Sequence, residues 1–460
     1  MHAAFESLIR QTREQTDRLR TLPFGIAYGR LRRATGAVLE VDGLPMVIGE
    51  RAHVEGAQDK QWLEAECIGF EASRTFLMLL DAVQPMAPGA LVLPSSMPRL
   101  VDGRYEVQAQ RPSLPLGPQL LGRVVDGLGR PLDGLGGDLG GPVVRAAGPV
   151  NPLQRATIVT PLDTGVRAIN AALTIGKGQR IGLFAGSGVG KSVLLSMLAR
   201  NCAADVLVIA LVGERSREVR EFCEENLDEQ ARRRSVVVAA PADTTALART
   251  KAAEYASEIA GWFRDQGQHV VLILDSLSRY AMALREIGLG MGQPPVARGY
   301  PASVFSRLPE IVEKAGNGAR PEGSLTAVYT LLLEGDDVHD PVADAARGVL
   351  DGHVFLSREL ADAGHYPAID IERSISRVMP RVTTVEHVKA AAKLKALISK
   401  HTRSRDLIAM GAYVRGTDPQ LDFAIKNWDR IRAFLQQDAG ELSQFELSRD
   451  SLLSLVRGAP

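Results

Sequence analysis

Three cysteines in 460 residues, Cys67, Cys202 and Cys223, are too few and too scattered for a disulfide framework. No Cys-x-x-Cys pair occurs, which argues against a thiolate zinc site and points to a reducing cytosol. The eight histidines form no His-x-x-x-His pair, so a histidine metal site is not expected. Long apolar runs are missing too. The longest, Val206 to Val212, is seven residues, against about 20 for a membrane-spanning helix. It reads as a buried parallel strand. Residues 1–20 lack the continuous apolar stretch of a secretory signal. Any contact with a membrane is therefore expected to be peripheral or through a partner. Neither charge is in excess: 54 Lys and Arg balance 54 Asp and Glu. A general nucleic-acid binder usually carries a basic surplus.

What is present is an ordinary soluble composition, 45% hydrophobic and 23% charged. The length suits about three domains. Residues 1–20 place Phe5, Leu8, Ile9, Thr12, Thr16 and Leu19 on one helical face. The segment 1–23 is expected to be an amphipathic docking helix, broken by Thr21-Leu-Pro-Phe24. From 24 to 95, short apolar runs alternate with turns: Val38–Val41, Met46–Ile48, Cys67–Phe70 and Thr75–Leu80. Many short strands with Gly-rich turns predict a small β-barrel. From 96 to 380, strand candidates Arg180–Phe184, Asp205–Val212, Ser235–Ala239, His269–Leu274 and Leu325–Leu333 alternate with helical patterns. That alternation predicts an α/β domain with a mainly parallel sheet covered on both faces. From 381 to 460 the strand signals stop, and the stripe Leu421, Ala424, Trp428, Ile431 and Leu435 predicts helices.

The chemistry begins at Ala185-Gly186-Ser187-Gly188-Val189-Gly190-Lys191-Ser192, a P-loop with Ala where Gly is usual. It follows a predicted strand and precedes a helical run from Val193, the context the motif requires. Glycines let backbone N–H groups wrap phosphates, and the helix N-terminus adds positive potential. Lys191 is expected to reach the β- and γ-phosphates of ATP, and the Ser192 hydroxyl to bind Mg²⁺. Val270-Val-Leu-Ile-Leu-Asp275 is an apolar strand ending in a carboxylate, which puts Asp275 near the same Mg²⁺. The strand ending at Val212 runs into Gly213-Glu214-Arg215. Catalytic groups of open α/β sheets lie beyond the carboxyl ends of strands. Glu214 is thus placed to polarise the attacking water, and Arg215 to bind γ-phosphate oxygens. By spacing alone, a solvated helix start explains Glu214 and Arg215 equally well.

Together with Ala185–Ser192 and Gly213–Arg215, Asp275-Ser-Leu-Ser-Arg-Tyr280 and His365-Tyr-Pro-Ala-Ile-Asp370 resemble the catalytic subunits of rotary ATP synthases. More closely, the chain resembles the flagellar protein-export ATPases, the type III secretion branch of that superfamily. Leu121–Gly129, Asp340–Asp344 and Ser374-Ile-Ser-Arg377 belong to the likeness, which covers nearly everything after residue 24. The resemblance implies a fold of N-terminal barrel, central P-loop domain and C-terminal helical domain. It implies ATP hydrolysis in a homohexameric ring that delivers unfolded subunits to a membrane export gate. It implies a regulatory export-apparatus protein at the N-terminal helix, a central stalk-like protein in the ring pore, and export substrates with their chaperones. The expected location is cytoplasmic, at the inner face of the membrane. By the same resemblance Glu214 is the general base, Arg215 the arginine that follows it, and Val193 closes the nucleotide-binding loop. Tyr366 is the aromatic that stacks on adenine, and Arg377 the arginine offered to a neighbour's phosphate.

Gly411–Pro419 stands where rotary subunits carry an acidic hairpin tip and lacks that acidic run, which favours the export branch. Virulence injectisome ATPases are the nearest alternative; Ser187, Val193 and Asp340–Arg347 favour the flagellar side. A hexameric RNA translocase needs stacking aromatics on its barrel. Residues 24–95 hold only Phe24, Tyr28, Trp62, Phe70 and Phe76, without a cluster, so no nucleic acid partner is expected.

Overall fold

The computed structural model describes the chain apart from residues 1–11, 13–27, 58–60, 83, 96–98, 102–103, 107–113, 137–138, 141–150, 320–322, 334, 336 and 338–339. The docking helix expected over 1–23 thus lies outside the described residues, Thr12 excepted. The chain forms two compact units. The first takes Met1–Ser113 with Thr244–Leu247 and Glu286–Gln293, and the second takes the rest.

The first unit is a closed antiparallel barrel. Its strands are β1 (Gly29–Thr35), β2 (Val38–Asp42), β3 (Arg51–Glu55), β4 (Trp62–Glu71), β5 (Arg74–Leu79) and β6 (Leu91–Pro94), in the order β1-β2-β5-β4-β3-β6. Period-two alternation sorts the side chains. In β3, Ala52 and Val54 point inward while Arg51, His53 and Glu55 are partly exposed. Leu31, Leu39, Val41, Leu63, Leu77 and Val92 complete the interior. Closure leaves no open edge. One expected run is not a strand: Met46–Ile48 forms a turn, with Val47 and Ile48 exposed at 60% and 52%. The reason is local. Glu50 donates its N–H to the Val47 carbonyl at 3.0 Å, and its carboxylate accepts from Val47 N–H at 3.1 Å. A short hairpin, β7 (Arg99–Val101) and β8 (Arg104–Glu106), follows.

The second unit is built on a nine-stranded sheet. Its strands are β9 (Val124–Val125), β10 (Arg180–Ala185), β11 (Val206–Val212), β12 (Ser235–Ala240) and β13 (His269–Asp275). After the small hairpin β14 (Pro295–Ala297) and β15 (Tyr300–Pro301) come β16 (Gly316–Asn317), β17 (Ser324–Leu332), β18 (Gly352–Leu356) and β19 (Ile369–Ser376). The order is β19-β18-β10-β17-β13-β11-β12-β9, with β16 beside β17. All pairings along this path are parallel except that of edge strand β19, which runs antiparallel to β18. Buried on both faces, the central strands read as continuous apolar runs. Leu207, Ile209 and Leu211 enter one core, and Val206, Val208, Ala210 and Val212 enter the other.

The helix Lys191–Asn201 and those from residue 385 onward cover the first core. The helix Ala246–Asp265 covers the second with Ala252, Tyr255 and Ile259. The expected C-terminal stripe lies on the helix Pro419–Leu435. Leu421, Ala424, Ile431 and Leu435 are buried, and the half-buried Trp428 stacks on His401 at 3.6 Å. Asp418 caps this helix by accepting from the Gln420 and Leu421 N–H groups, and Pro419 opens its first turn.

Candidate active site

Parallel pairing brings the ends of β10, β11 and β13 to one edge of the sheet, because Ala185 pairs with Leu332 and Leu211 with Asp275. The chain leaves β10 through Gly186–Gly190 and enters the helix at Lys191. Gly188 and Gly190 take φ of 76° and 89°, a region costly to other residues. Val189 is buried and pins the loop to the core. The result is a backbone cradle at a helix N-terminus, suited to an anion.

Lys191 lies under this cradle. Its Nζ is 2.6 Å from Asp275 Oδ1 and 3.0 Å from Glu214 Oε1. The three side chains are exposed by only 14%, 7% and 16% respectively. Burial opposes the Lys191 charge, but Asp275 and Glu214 outweigh it and raise its pKa. Burial raises the pKa of Asp275 against the pull of Lys191, and the nearby Glu214 charge adds to the rise. Asp275 Oδ1 also accepts from Thr330 Oγ1 at 2.6 Å. Gly213 sets up Glu214: its φ is 71°, and a Cβ there would lie 2.9 Å from Arg279 Cβ.

The other expected residues divide. Ser192 is exposed beside Lys191. Val193 and Tyr366, exposed at 49% and 44%, line a cavity of about 360 Å³ with Gly190, Leu194, Met197 and Pro367. The Tyr366 ring lies against the loop: a Cβ on Gly190 would be 3.3 Å from two ring carbons. Arg215 is not drawn into the Lys191 cluster; its side chain is 81% exposed, and Glu218 stands 3.9 Å away. Arg377 is also apart. Ser376 pairs with Gly352 at the start of β18, whereas Phe184, beside the phosphate loop, pairs with Phe355 near its end. Arg377 therefore emerges at the opposite edge of its own sheet, where its N–H donates to the Asp351 carbonyl and its Nη1 to the Leu350 carbonyl.

Two contacts were not anticipated. Thr330 sits inside the expected strand Leu325–Leu333, where a hydroxyl between Tyr329 and Leu331 is the available signal. Arg358 donates from Nη2 to the Ser187 carbonyl at 3.1 Å, across 171 residues, a distance no local pattern spans.

Residues 165–376 match the nucleotide-binding domain of the ATP synthase alpha/beta family, and residues 383–454 the type III secretion EscN ATPase C-terminal domain. The flagellum-specific ATP synthase of Salmonella typhimurium is 53% identical over 442 residues, covering 94% of each chain. The chain belongs to the ATP synthase alpha/beta family. Its relatives in that family include the flagellum-specific ATP synthase of Pseudomonas aeruginosa, 50% identical with 94% of each chain covered. The type 3 secretion system ATPase of Xanthomonas euvesicatoria is 43% identical, covering 96% of this chain and 97% of its own. Among solved structures, the assembled ATPase EscN of enteropathogenic Escherichia coli superposes with a TM-score of 0.84 at 42% identity. That alignment covers 93% of this chain and 100% of EscN. EscN in complex with its central stalk EscO superposes at 0.80 and 41%, with the same coverage.

The expected fold of barrel, mainly parallel nucleotide-binding sheet and C-terminal helices is thus borne out, and the chain is an ATP-hydrolysing enzyme. Among the described residues, no helix is long and apolar enough to cross a membrane. Nor do three or more His, Cys, Asp or Glu side chains among them gather as a metal cluster.

Proposed function

We propose that this enzyme powers the flagellar type III protein-export apparatus by hydrolysing Mg-ATP in a ring of six copies. The observation that carries the reading is Lys191 held between Asp275 and Glu214 beneath the glycine cradle. The flagellar assignment draws on relatives at 53% and 50% identity, above the 43% of the virulence-type relative.

In this reading Lys191 leaves its carboxylates to meet the β- and γ-phosphates, which exchanges one pair of anions for another. Residues 185–193 wrap the phosphates. Glu214, freed from Lys191, accepts the proton of the attacking water, and Arg215 swings from solvent toward the γ-phosphate. Tyr366 and Val193 sandwich the adenine. The exposed Ser192 hydroxyl and the buried Asp275 carboxylate are hard oxygen donors that fit Mg²⁺. When bound, Mg²⁺ offsets phosphate charge. Arg377 serves the site of an adjacent copy, a role supported by its place at the far edge of its own sheet. Ring formation and a stalk partner draw support from EscN, solved assembled and with its central stalk. Residues 1–23 bind the regulatory partner. The enzyme works at the inner face of the cytoplasmic membrane, passing substrates and their chaperones to the export gate.

The test is Glu214→Gln. An amide cannot take the proton, so the variant should bind ATP normally and hydrolyse it about 10² to 10⁴ times more slowly. Turnover at the parental rate would refute the assignment of the base.

A further inference from the structure

The cavity beside the phosphate loop is bounded on its far side by Gln436–Ala439. Much of the hydrogen-bonding capacity of this segment is committed to the protein itself. The Gln437 N–H donates to the Tyr366 carbonyl and the Gln436 N–H to the Arg432 carbonyl, both at 3.0 Å. The Gln436 carbonyl accepts from Arg167 Nη1, the Asp438 carbonyl from Glu441 N–H, and the Ala439 carbonyl from Arg200 Nη2. The Gln437 side chain, 5% exposed, is committed as well. Its Oε1 accepts from Arg167 N–H at 2.7 Å, and its Nε2 donates to the Gly165 and Glu441 carbonyls, each at 2.8 Å. This lock fixes the segment against Tyr366. Two polar side chains of the cavity wall remain without a partner among the described residues: the Gln436 amide and the Asp438 carboxylate.

A base stacked on Tyr366 between Val193, Leu194 and Pro367 meets apolar walls everywhere except along this segment. An ionised carboxylate only accepts hydrogen bonds. It favours a base that offers an amino group and repels one that offers a carbonyl at the same place. We propose that Asp438 is a specificity-determining residue that accepts a hydrogen bond from the N6 amino group of adenine, with the Gln436 amide donating to the adjacent ring nitrogen. The inference rests on the reading of this cavity as the base site of the ATPase. It goes beyond that reading by naming the group that selects adenine from other purines. Hypoxanthine and guanine both carry a carbonyl where adenine carries N6. A site built to pair with a polar group rejects analogues lacking it. The selection acts far from the γ-phosphate, so it appears in KM more than in kcat.

The experiment measures KM for ATP, ITP and GTP by phosphate release with the full chain and Mg²⁺. For the parental enzyme, KM for ITP and GTP should lie about tenfold or more above that for ATP, the size of one hydrogen bond to a charged group. Asp438→Ala should close the gap between ATP and ITP to about twofold by weakening ATP, and Asp438→Asn, still an acceptor, should keep part of it. Asp438 is exposed, so both variants should fold, with circular dichroism as the check. A gap unchanged in Asp438→Ala overturns the proposal, as does a parental enzyme that takes ITP or GTP as readily as ATP. Tyr366→Ala separates this inference from the reading beneath it. If it raises KM for ATP and ITP alike while Asp438→Ala leaves their ratio intact, the base site stands and the role of Asp438 falls. If Tyr366→Ala changes neither KM, the base lies elsewhere and both fall.

Discussion

At the scale of the residue, the edge of this sheet sets one cation against two carboxylates. Lys191 satisfies two carboxylates, and Thr330 steadies one of them. A hydrogen bond to a buried carboxylate is costly to lose. Thr330→Val should lower stability by about 1–3 kcal/mol, read as a lower urea midpoint, and Thr330→Ser should restore it. An unchanged midpoint in Thr330→Val would show the bond to be idle. His269 carries a separate, titratable cost. It is 9% exposed, and burial, helped by Lys177 and opposed by Asp205, pushes its pKa down to about 4 from 6.5. Between those values the unfolded chain takes up a proton that the folded one refuses. The stabilising contribution is therefore complete above about pH 6.5 and is lost as pH falls through about 4, up to about 3 kcal/mol. Urea unfolding at pH 7.5 and 4.5 should show this drop, and His269→Gln, which does not titrate, should show less of it. Equal drops would remove His269 from the account.

At the scale of the element, the strands that carry the site were legible because they are buried on both faces. Val206–Val212 and His269–Asp275 read as unbroken apolar runs that end where chemistry begins. Strands β18 and β19 went unread. β19, Ile-Asp-Ile-Glu-Arg-Ser-Ile-Ser, lies at the sheet edge and needs little apolar content. Its register against β18 also shifts between His353 and Phe355, which breaks any simple period. Met46–Ile48 erred the other way: three apolar residues formed a turn because Glu50 folds back on Val47. Motif and strand order single out Lys191 and Asp275, and Glu214 needs the family resemblance as well. The ion pairs among the three, like the contacts of Arg358 and Thr330, depend on tertiary pairing that one sequence does not display. The connection after β11 also makes a local demand. Gly213 holds a φ of 71° with Arg279 packed against it. Gly213→Ala should cost roughly 1–2 kcal/mol for the backbone alone and displace Glu214. The expected outcome is a lower melting temperature together with slowed hydrolysis. A variant with parental turnover would mean that Glu214 does not depend on this turn.

At the scale of the whole molecule, the sheet keeps Lys191 and Arg377 at opposite edges. Lys191 leaves the carboxyl edge of β10, while Arg377 leaves the opposite edge through antiparallel β19. Its Nη1 rests on the Leu350 carbonyl, a contact with a neutral acceptor that an incoming phosphate can displace. If Arg377 acts on the next copy, hydrolysis depends on assembly, and free chains do not waste ATP. Arg377→Ala should then bind ATP but hydrolyse it poorly; arginine fingers are worth roughly 10³ to 10⁵ in rate. Mixing provides the sharper measurement. Arg377→Ala keeps an intact P-loop, and Lys191→Ala keeps an intact arginine, so each variant alone should be inactive. In a mixed ring, some interfaces join the P-loop of the first variant to the arginine of the second. Phosphate release should partly recover there, in proportion to such interfaces. Co-purification through two different tags establishes that the rings are mixed. Recovery in mixed rings means that Arg377 reaches across the interface, and continued inactivity in rings proven mixed means that it does not.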